Sequence, residues 1–356
     1  MTSANPLAIL VSLAQATASY LSRAVTLPLV KTLATLWVVW LSSLVLFGLY
    51  MQYLPPPTPS AEQLDMERRD GASFANAADG RVIEYFVAGP TEGRILINIA
   101  GNGFTGKLLA KCLPSAFLEK NNIRLISISL PGFGFSTPLR TLTYKDWIHT
   151  DLAVILTTEK VLKSAPLSVM GHSAGAAAAL CVASAHAPRV LALGLRSPYI
   201  GAPFNETWKL PPARTDGPAT VGPFAWSSHL FVRVATKLST WLAKPTNVKL
   251  VLEHSNLFSR VETDLYRARA HSYLPFLYAA QKSTSLDNHA DPATVKTKKV
   301  VVWYADDEED DEGTPIEHFK WFVWHFKAKV RIVNGFGAMG PAVLEQEQFI
   351  EHLMDL

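Results

Sequence analysis

Short apolar, β-rich runs recur along this chain, separated by stretches with helical periodicity. The runs are Arg81–Gly89 (RVIEYFVAG), Arg94–Ala100, Ile123–Leu130, Pro166–Gly171, Val190–Tyr199, Lys299–Asp306 (KVVVWYAD) and Val330–Gly335. Between them, Lys107–Lys120, Tyr144–Lys163 and Ala174–Ala187 carry helical patterns. The first is interrupted at Pro114, and the last is rich in alanine and poor in charge. Apolar strands that alternate with helices form βαβ units, because parallel neighbours need a crossover. The crossover helices then cover both faces of the sheet. The expectation is an α/β fold with a mostly parallel central sheet, helices on both faces and a buried alanine-rich helix.

The rhythm breaks over 200–298. This stretch opens with prolines (KLPPARTDGPATVGPF) and continues as helical patterns. An insertion of that size between two core strands reads as a helical cap over one edge of the sheet. The core is thereby split into 81–199 and 299–356. Cap aromatics such as Trp208, Trp226 and Trp241 suit an apolar ester or acyl substrate, and they suit ordinary packing equally.

The N-terminal part differs in kind. No charged residue occurs from Thr32 to Ala61. The apolar run over 32–54 is long enough to cross a bilayer, which takes about 20 residues, and it is longer than the core of a cleaved signal peptide. Trp37, Trp40, Tyr50 and Tyr53 are of the type enriched near membrane interfaces. We therefore expect a transmembrane anchor over 32–54, a cytosolic segment over 1–31 and a proline-stiffened linker over 55–80. Arg23 and Lys31 precede the span without an acid, whereas Arg68 and Arg69 beyond it are balanced by nearby acids. The bias favours a luminal or extracytosolic main domain, a placement that the sequon Asn205–Thr207 suits.

Net charge is only +3 and there is no basic block, which excludes nucleic acid as an expected partner. Cys112 and Cys181 each sit in an apolar context and read as buried thiols, not as a disulfide framework. No metal or organic cofactor is implied. The acidic run Asp306–Glu312 lacks the regular spacing of a calcium loop.

The most specific local signal is Gly171-His172-Ser173-Ala174-Gly175, a G-x-S-x-G placed between a strand pattern and a helix pattern. That context makes it a nucleophile elbow. The glycines permit a sharp turn, Ser173 is lifted to the strand end, and the N–H of Ala174 can face a developing oxyanion. A second donor belongs in the loop after an earlier strand. Ala100-Gly101-Asn102-Gly103 follows the run ending in Ile99, which makes the N–H of Asn102 the candidate, with Gly103 beside it.

On these motifs the chain resembles the α/β-hydrolase superfamily, of the serine esterase and lipase type, from about Arg81 to the C-terminus. The loop Ser129–Pro138 (SLPGFGFSTP) is similar to that family's D-x-x-G-x-G-x-S, with Ser129 in place of the usual Asp. The resemblance implies acyl-transfer chemistry on an apolar ester or lipid, and an acid after the seventh strand. Spacing to Thr314-Pro315 favours Asp311, and counting from the strand end favours Glu308, with Asp310 a further alternative. The resemblance also places a histidine between the last strand and last helix. There the chain reads Gly337-Ala338-Met339-Gly340, so Ala338 occupies that position and cannot take a proton.

Three readings follow: a degenerate hydrolase that keeps the pocket, rescue by another histidine (His318, His325 and His352 nearby, or His229, His254 and His271 in the cap), or a variant of a chain with histidine at 338. A non-catalytic binder or scaffold using the same pocket is the alternative to a serine hydrolase.

Overall fold

The structure is a computed structural model that describes residues 15, 32–40, 42–43, 59–101, 105–131, 133–137, 144–172, 175–198, 294–305, 316–333 and 345–355. The chain divides into two compact units, Met1–Pro55 and Pro56–Leu356. In the first, residues 32–40 and 42–43 are helical and expose Leu33, Leu36, Trp37, Val39 and Trp40. Among the described residues no helix is long and apolar enough to cross a membrane. Most of the expected anchor beyond residue 43 lies outside the described residues.

The second unit is built on one eight-stranded sheet: β1 (Ala72–Asn76), β2 (Val82–Ala88), β3 (Arg94–Ile99), β4 (Ile123–Ile128), β5 (Leu167–His172), β6 (Val190–Arg196), β7 (Lys299–Ala305) and β8 (Lys329–Val333). Its order is β1-β2-β4-β3-β5-β6-β7-β8. The β1–β2 and β2–β4 pairs are antiparallel, and every other pair is parallel. The expected mostly parallel sheet is therefore present.

The described helices of this unit are α1 (Ala61–Arg69), α2 (Lys107–Cys112), α3 (Ser115–Lys120), α4, α5 (Gly175–Ala185), α6 (Ile316–Phe326) and α7 (Gln346–Met354). α4 starts at Tyr144–Trp147, passes through a π-helical turn at Ile148–Leu152 and continues as Ala153–Thr158. Pro114 caps α3, which is why the expected helix over 107–120 is two short ones. The range 55–80, expected to be a linker, contributes α1 and β1. Ser60 and Gln63 form a reciprocal capping box that starts α1, a signal present in the sequence as S-x-x-Q.

The two faces of the sheet sort by strand period. Ile97, Ile99, Val169, Val302 and Tyr304 pack with α4, α5 and α6. Leu96, Met170, Val301 and Trp303 pack with α2, α3 and α7. α5 is buried from Gly175 through Ala183, as its composition predicts, because small side chains let it lie close to β5. Neither cysteine is in a disulfide among the described residues; Cys181 is buried as expected, Cys112 only half so, and burial pushes the Cys181 thiol up to about 12. The expected cap, 200–298, lies outside the described residues except for 294–298.

Candidate active site

In a parallel sheet the loops that follow the strands gather along one edge, and sites form there. Register fixes that edge here. Ile99 lies opposite Gly171, His172 opposite Arg196, Arg196 opposite Trp303, and Ala305 opposite Val333. The loops after β3, β5, β6, β7 and β8 all leave from it.

β5 is buried along its whole length and ends at His172, and α5 begins at Gly175. Only two positions, 173 and 174, separate strand from helix. Both flanking glycines are required by close approach. A Cβ on Gly171 would stand 2.3 Å from the carbonyl oxygen of Gly175, and one on Gly175 would stand 2.4 Å from that of Ile99. The second contact also presses the elbow against the start of the loop after β3. Ser173 and Ala174 lie outside the described residues, as do Asn102 and Gly103 in that neighbouring loop.

The other predicted site residues belong to chain segments that leave the same edge. Asp311, Glu308 and Asp310 belong to the segment that leaves β7, and Ala338 to the segment that leaves β8. All four lie outside the described residues. Two of the rescue histidines sit at the wrong end. His325 is in the last turn of α6 and stacks on Trp321 with ring centroids 4.4 Å apart. His352 is in the last turn of α7, its ring 6.3 Å from that of Trp303. Both helices start at the loop edge and run back toward the opposite one, where the Met354 carbonyl accepts from Arg94 at the start of β3. His318 lies in the first turn of α6, at the loop edge. His229, His254 and His271 are outside the described residues.

Polar side chains form a belt near this edge on the face covered by α2 and α7, and no sequence motif marks them. Arg196, 2% exposed, ends β6. Its guanidinium donates to Gln346 Oε1 at the start of α7 and to Asn98 Oδ1 on β3 at 2.8 Å, and its Cζ stands 5.5 Å from the Phe349 ring centroid. Asn98 in turn donates to Ser127 Oγ at 2.7 Å. Arg196 Nε is buried without a hydrogen-bond partner among the described residues. Burial lowers the guanidinium to about 10, so it remains charged at neutral pH. A small cavity lies beside it, lined by Asn98, Ala100, Gly101, Thr105, His172 and Arg196 among others. The next residue, Ser197, is fully buried with φ 42°, a costly conformation for a residue other than glycine.

At the other end of the belt stands Glu84 of β2, 2% exposed. Ser129, which stands where the resembling motif has aspartate, donates its hydroxyl to Glu84 Oε2 at 2.6 Å and accepts the Gly106 N–H at 2.9 Å. The carboxyl also accepts from the Phe135 N–H. A Cβ on Gly134 would stand 2.0 Å from Glu84 Oε2, so glycine there makes room for the carboxyl. Burial pushes Glu84 up to about 7, with the nearby Glu67 adding to the rise and the Ser129 hydroxyl and Lys107 opposing it. Among the described residues no cluster of histidine, cysteine, aspartate and glutamate fit to hold a metal ion is present.

Comparison with known proteins agrees with this frame. Residues 99–336 match the model of the Alpha/beta hydrolase family. Among solved structures the chain is similar to an esterase from Rhodococcus sp., at 16% identity and a TM-score of 0.52, over 80% of this chain and 98% of that one. It is also similar to the enol-lactonase from Burkholderia xenovorans, at 14% identity and a TM-score of 0.56, over 80% and 100%. A hydrolase from Pseudomonas aeruginosa aligns at 16% identity with a TM-score of 0.56, over 80% and 98%. At these identities the likeness shows the fold. No curated protein matches the sequence. The matched span runs from the last residue of β3, through the elbow, into the segment after β8, and so takes in the strand ends that frame the site; the chain belongs to the alpha/beta hydrolase family.

Proposed function

We propose that this chain is a membrane-anchored hydrolase-fold protein whose pocket is built for an ester or acyl substrate, with Ser173 as the nucleophile position. The observation that carries the reading is the turn between β5 and α5. Two residues join strand to helix, and both flanking glycines are demanded by backbone contacts of 2.3 and 2.4 Å. That frame holds a nucleophile at a strand end beside a helix N-terminus. The N–H groups of Ala174 and Asn102 serve as oxyanion donors, and Asp311 serves as the orienting acid, ahead of Glu308 and Asp310.

Position 338 decides the rate. A serine hydroxyl is a weak nucleophile unless a base receives its proton. In a well-measured serine hydrolase, loss of the histidine costs on the order of 10⁶ in turnover. With Ala338 the chain binds substrate and turns it over slowly or not at all, and a binding or scaffold role follows from the same pocket. The apolar run over 32–54, with exposed Leu33, Leu36, Trp37, Val39 and Trp40 in its described part, supports an anchor that holds the domain near lipid.

The test is fluorophosphonate labelling and short-chain ester hydrolysis by the chain as it stands, by Ser173→Ala and by Ala338→His. The expected result is an inert parent and an Ala338→His variant that labels and turns over. A parent that turns over, and loses activity only in Ser173→Ala, would mean that another base serves. Labelling that persists in Ser173→Ala would remove Ser173 from the site.

A further inference from the structure

We infer that Glu84 is a positioning residue for the loop between β3 and α2, acting through the Ser129 hydroxyl. The inference rests on the reading above, in which that loop carries the oxyanion donor Asn102.

The loop is pinned at both ends by different means. Its start, at Ile99 and Ala100, lies against Gly175 of the elbow with no room for a side chain. Its end is Gly106, whose N–H is one of the donors left over at the start of α2. Gly106 has no side chain to cap the helix, and α2 has no side-chain cap of its own. The Ser129 oxygen accepts that N–H at 2.9 Å.

A hydroxyl that accepts one bond keeps a proton to donate, and in a fully buried place that proton needs an acceptor. Glu84 Oε2 supplies it at 2.6 Å. The order is fixed: Gly106 N–H to Ser129 Oγ, and Ser129 O–H to Glu84. Exchanging the roles would leave Gly106 facing a hydroxyl proton. The carboxyl therefore sets which way the serine hydroxyl points, and the hydroxyl sets where the loop ends.

The surroundings are built around this carboxyl. The Glu84 N–H donates to Ser136 Oγ at 2.9 Å, and Ser136 Oγ donates to the Ser129 carbonyl at 2.9 Å. Ser129 N–H donates to the Glu84 carbonyl at 3.2 Å. Gly134 leaves space for the carboxyl oxygen. Lys107, the first residue of α2, is only 3% exposed and donates to Glu67 at 2.9 Å and to Asp70. These bonds tie Lys107 to α1, while Ser129, itself bonded to Glu84, ties Gly106 to the end of β4. Where the resembling motif has an acid, this chain has a serine that donates to an acid on the neighbouring strand.

The experiment is amide hydrogen exchange on the full chain, comparing the parent with Glu84→Gln, Glu84→Ala and Ser129→Ala at one pH. This readout does not need Ser173 to react. Glu84→Gln keeps an acceptor for the hydroxyl, so exchange over 100–107 should stay within about twofold of the parent. Ser129→Ala and Glu84→Ala should speed exchange there by about tenfold, roughly the value of one hydrogen bond, while β5, β6 and α5 keep their protection. Ester turnover by Ala338→His then separates the two ideas. With Ser129→Ala added, kcat should fall about tenfold or more with KM little changed. If Ala338→His is inert, the functional reading fails and the exchange result still decides the role of Glu84. Unchanged exchange over 100–107 in Ser129→Ala and Glu84→Ala would overturn the inference. So would loss of protection spread evenly over the whole sheet, or Glu84→Gln behaving like Glu84→Ala.

Discussion

Arg196 reaches across β5 to bond Asn98 on β3, Nη2 to Oδ1 at 2.8 Å, beside the edge where the strands end. The same guanidinium holds Gln346, the first residue of α7. One buried cation therefore joins a core strand, the strand that leads into the loop after β3, and the helix that follows position 338. No carboxylate pairs with it among the described residues, so its hydrogen bonds and the Phe349 ring are what make its burial tolerable.

Replacing that cation should be expensive although it has no ion-pair partner. Arg196→Met keeps most of the volume but takes the guanidinium donors away from Asn98 Oδ1 and Gln346 Oε1 inside the fold. A loss of about 2–6 kcal/mol is expected, from about 1–3 kcal/mol for each of the two polar groups that lose the guanidinium. The measurement is the urea midpoint of the variant against the parent. A shift below about 0.5 kcal/mol would mean that the guanidinium bonds offset only its desolvation.

The elbow glycines should tolerate nothing larger. In Gly171→Ala the new methyl carbon meets backbone at 2.3 Å, and in Gly175→Ala at 2.4 Å. Backbone cannot step aside as a flexible side chain can, so each variant should lose at least about 2–3 kcal/mol, in the range of overpacked cores. Thermal unfolding monitored by circular dichroism reads this, and near-parent stability in both would show that the strand-to-helix turn is looser than drawn.

Glu84 gives the protein a pH dependence of defined sign. Its value rises from 4.5 in the reference state to about 7 on folding, chiefly through burial. The native state holds the proton more tightly, so the contribution of this group is complete below about pH 4.5, declines as pH rises, and is gone above about 7. Glu67 and Lys107 face it from α1 and α2 and push in opposite directions. Glu84→Gln mimics the protonated form at every pH. It should gain on the parent by on the order of 2–3 kcal/mol between pH 5 and pH 8, measured as paired denaturant curves. Parallel pH profiles would place the Glu84 titration outside that window.

The π-helical turn in α4 also has a testable purpose. It places Asp151 on Arg81, with both carboxylate oxygens engaged at 2.6 and 2.8 Å and both side chains buried. Asp151→Ala should cost about 3–5 kcal/mol, as expected when one partner of a buried pair is removed. Arg81→Met/Asp151→Leu, which removes both charges, should recover most of that loss. Chemical denaturation of the three proteins decides it.

Much of this was legible in the residues themselves. The period of two in Leu96, Ile97 and Asn98, or in Val300 to Trp303, assigns side chains to faces before any partner is known. Glycine at 171 and 175 on either side of serine marks the elbow because a turn that tight has few other solutions. The capping box at Ser60 and Gln63 was equally local, and the linker expected over 55–80 passed over it; α1 and β1 occupy part of that range. The polar belt was not legible. An arginine at the end of an apolar strand and a glutamate inside another give no local sign of what they bond.

By itself the sequence determined the alternation of strands and helices and the glycine spacing between β5 and α5, and it showed alanine at 338 and serine at 129. These are properties of short windows, set by backbone period, turn sterics and side-chain chemistry. Tertiary structure alone decided which carboxylate the Ser129 hydroxyl meets. Glu84 is 45 residues away and meets Ser129 only because β2 pairs antiparallel with β4. Likewise Arg196 finds Asn98 98 residues away because β5 lies between their strands in parallel register. Register between strands depends on how the whole sheet packs, and no window of sequence contains it.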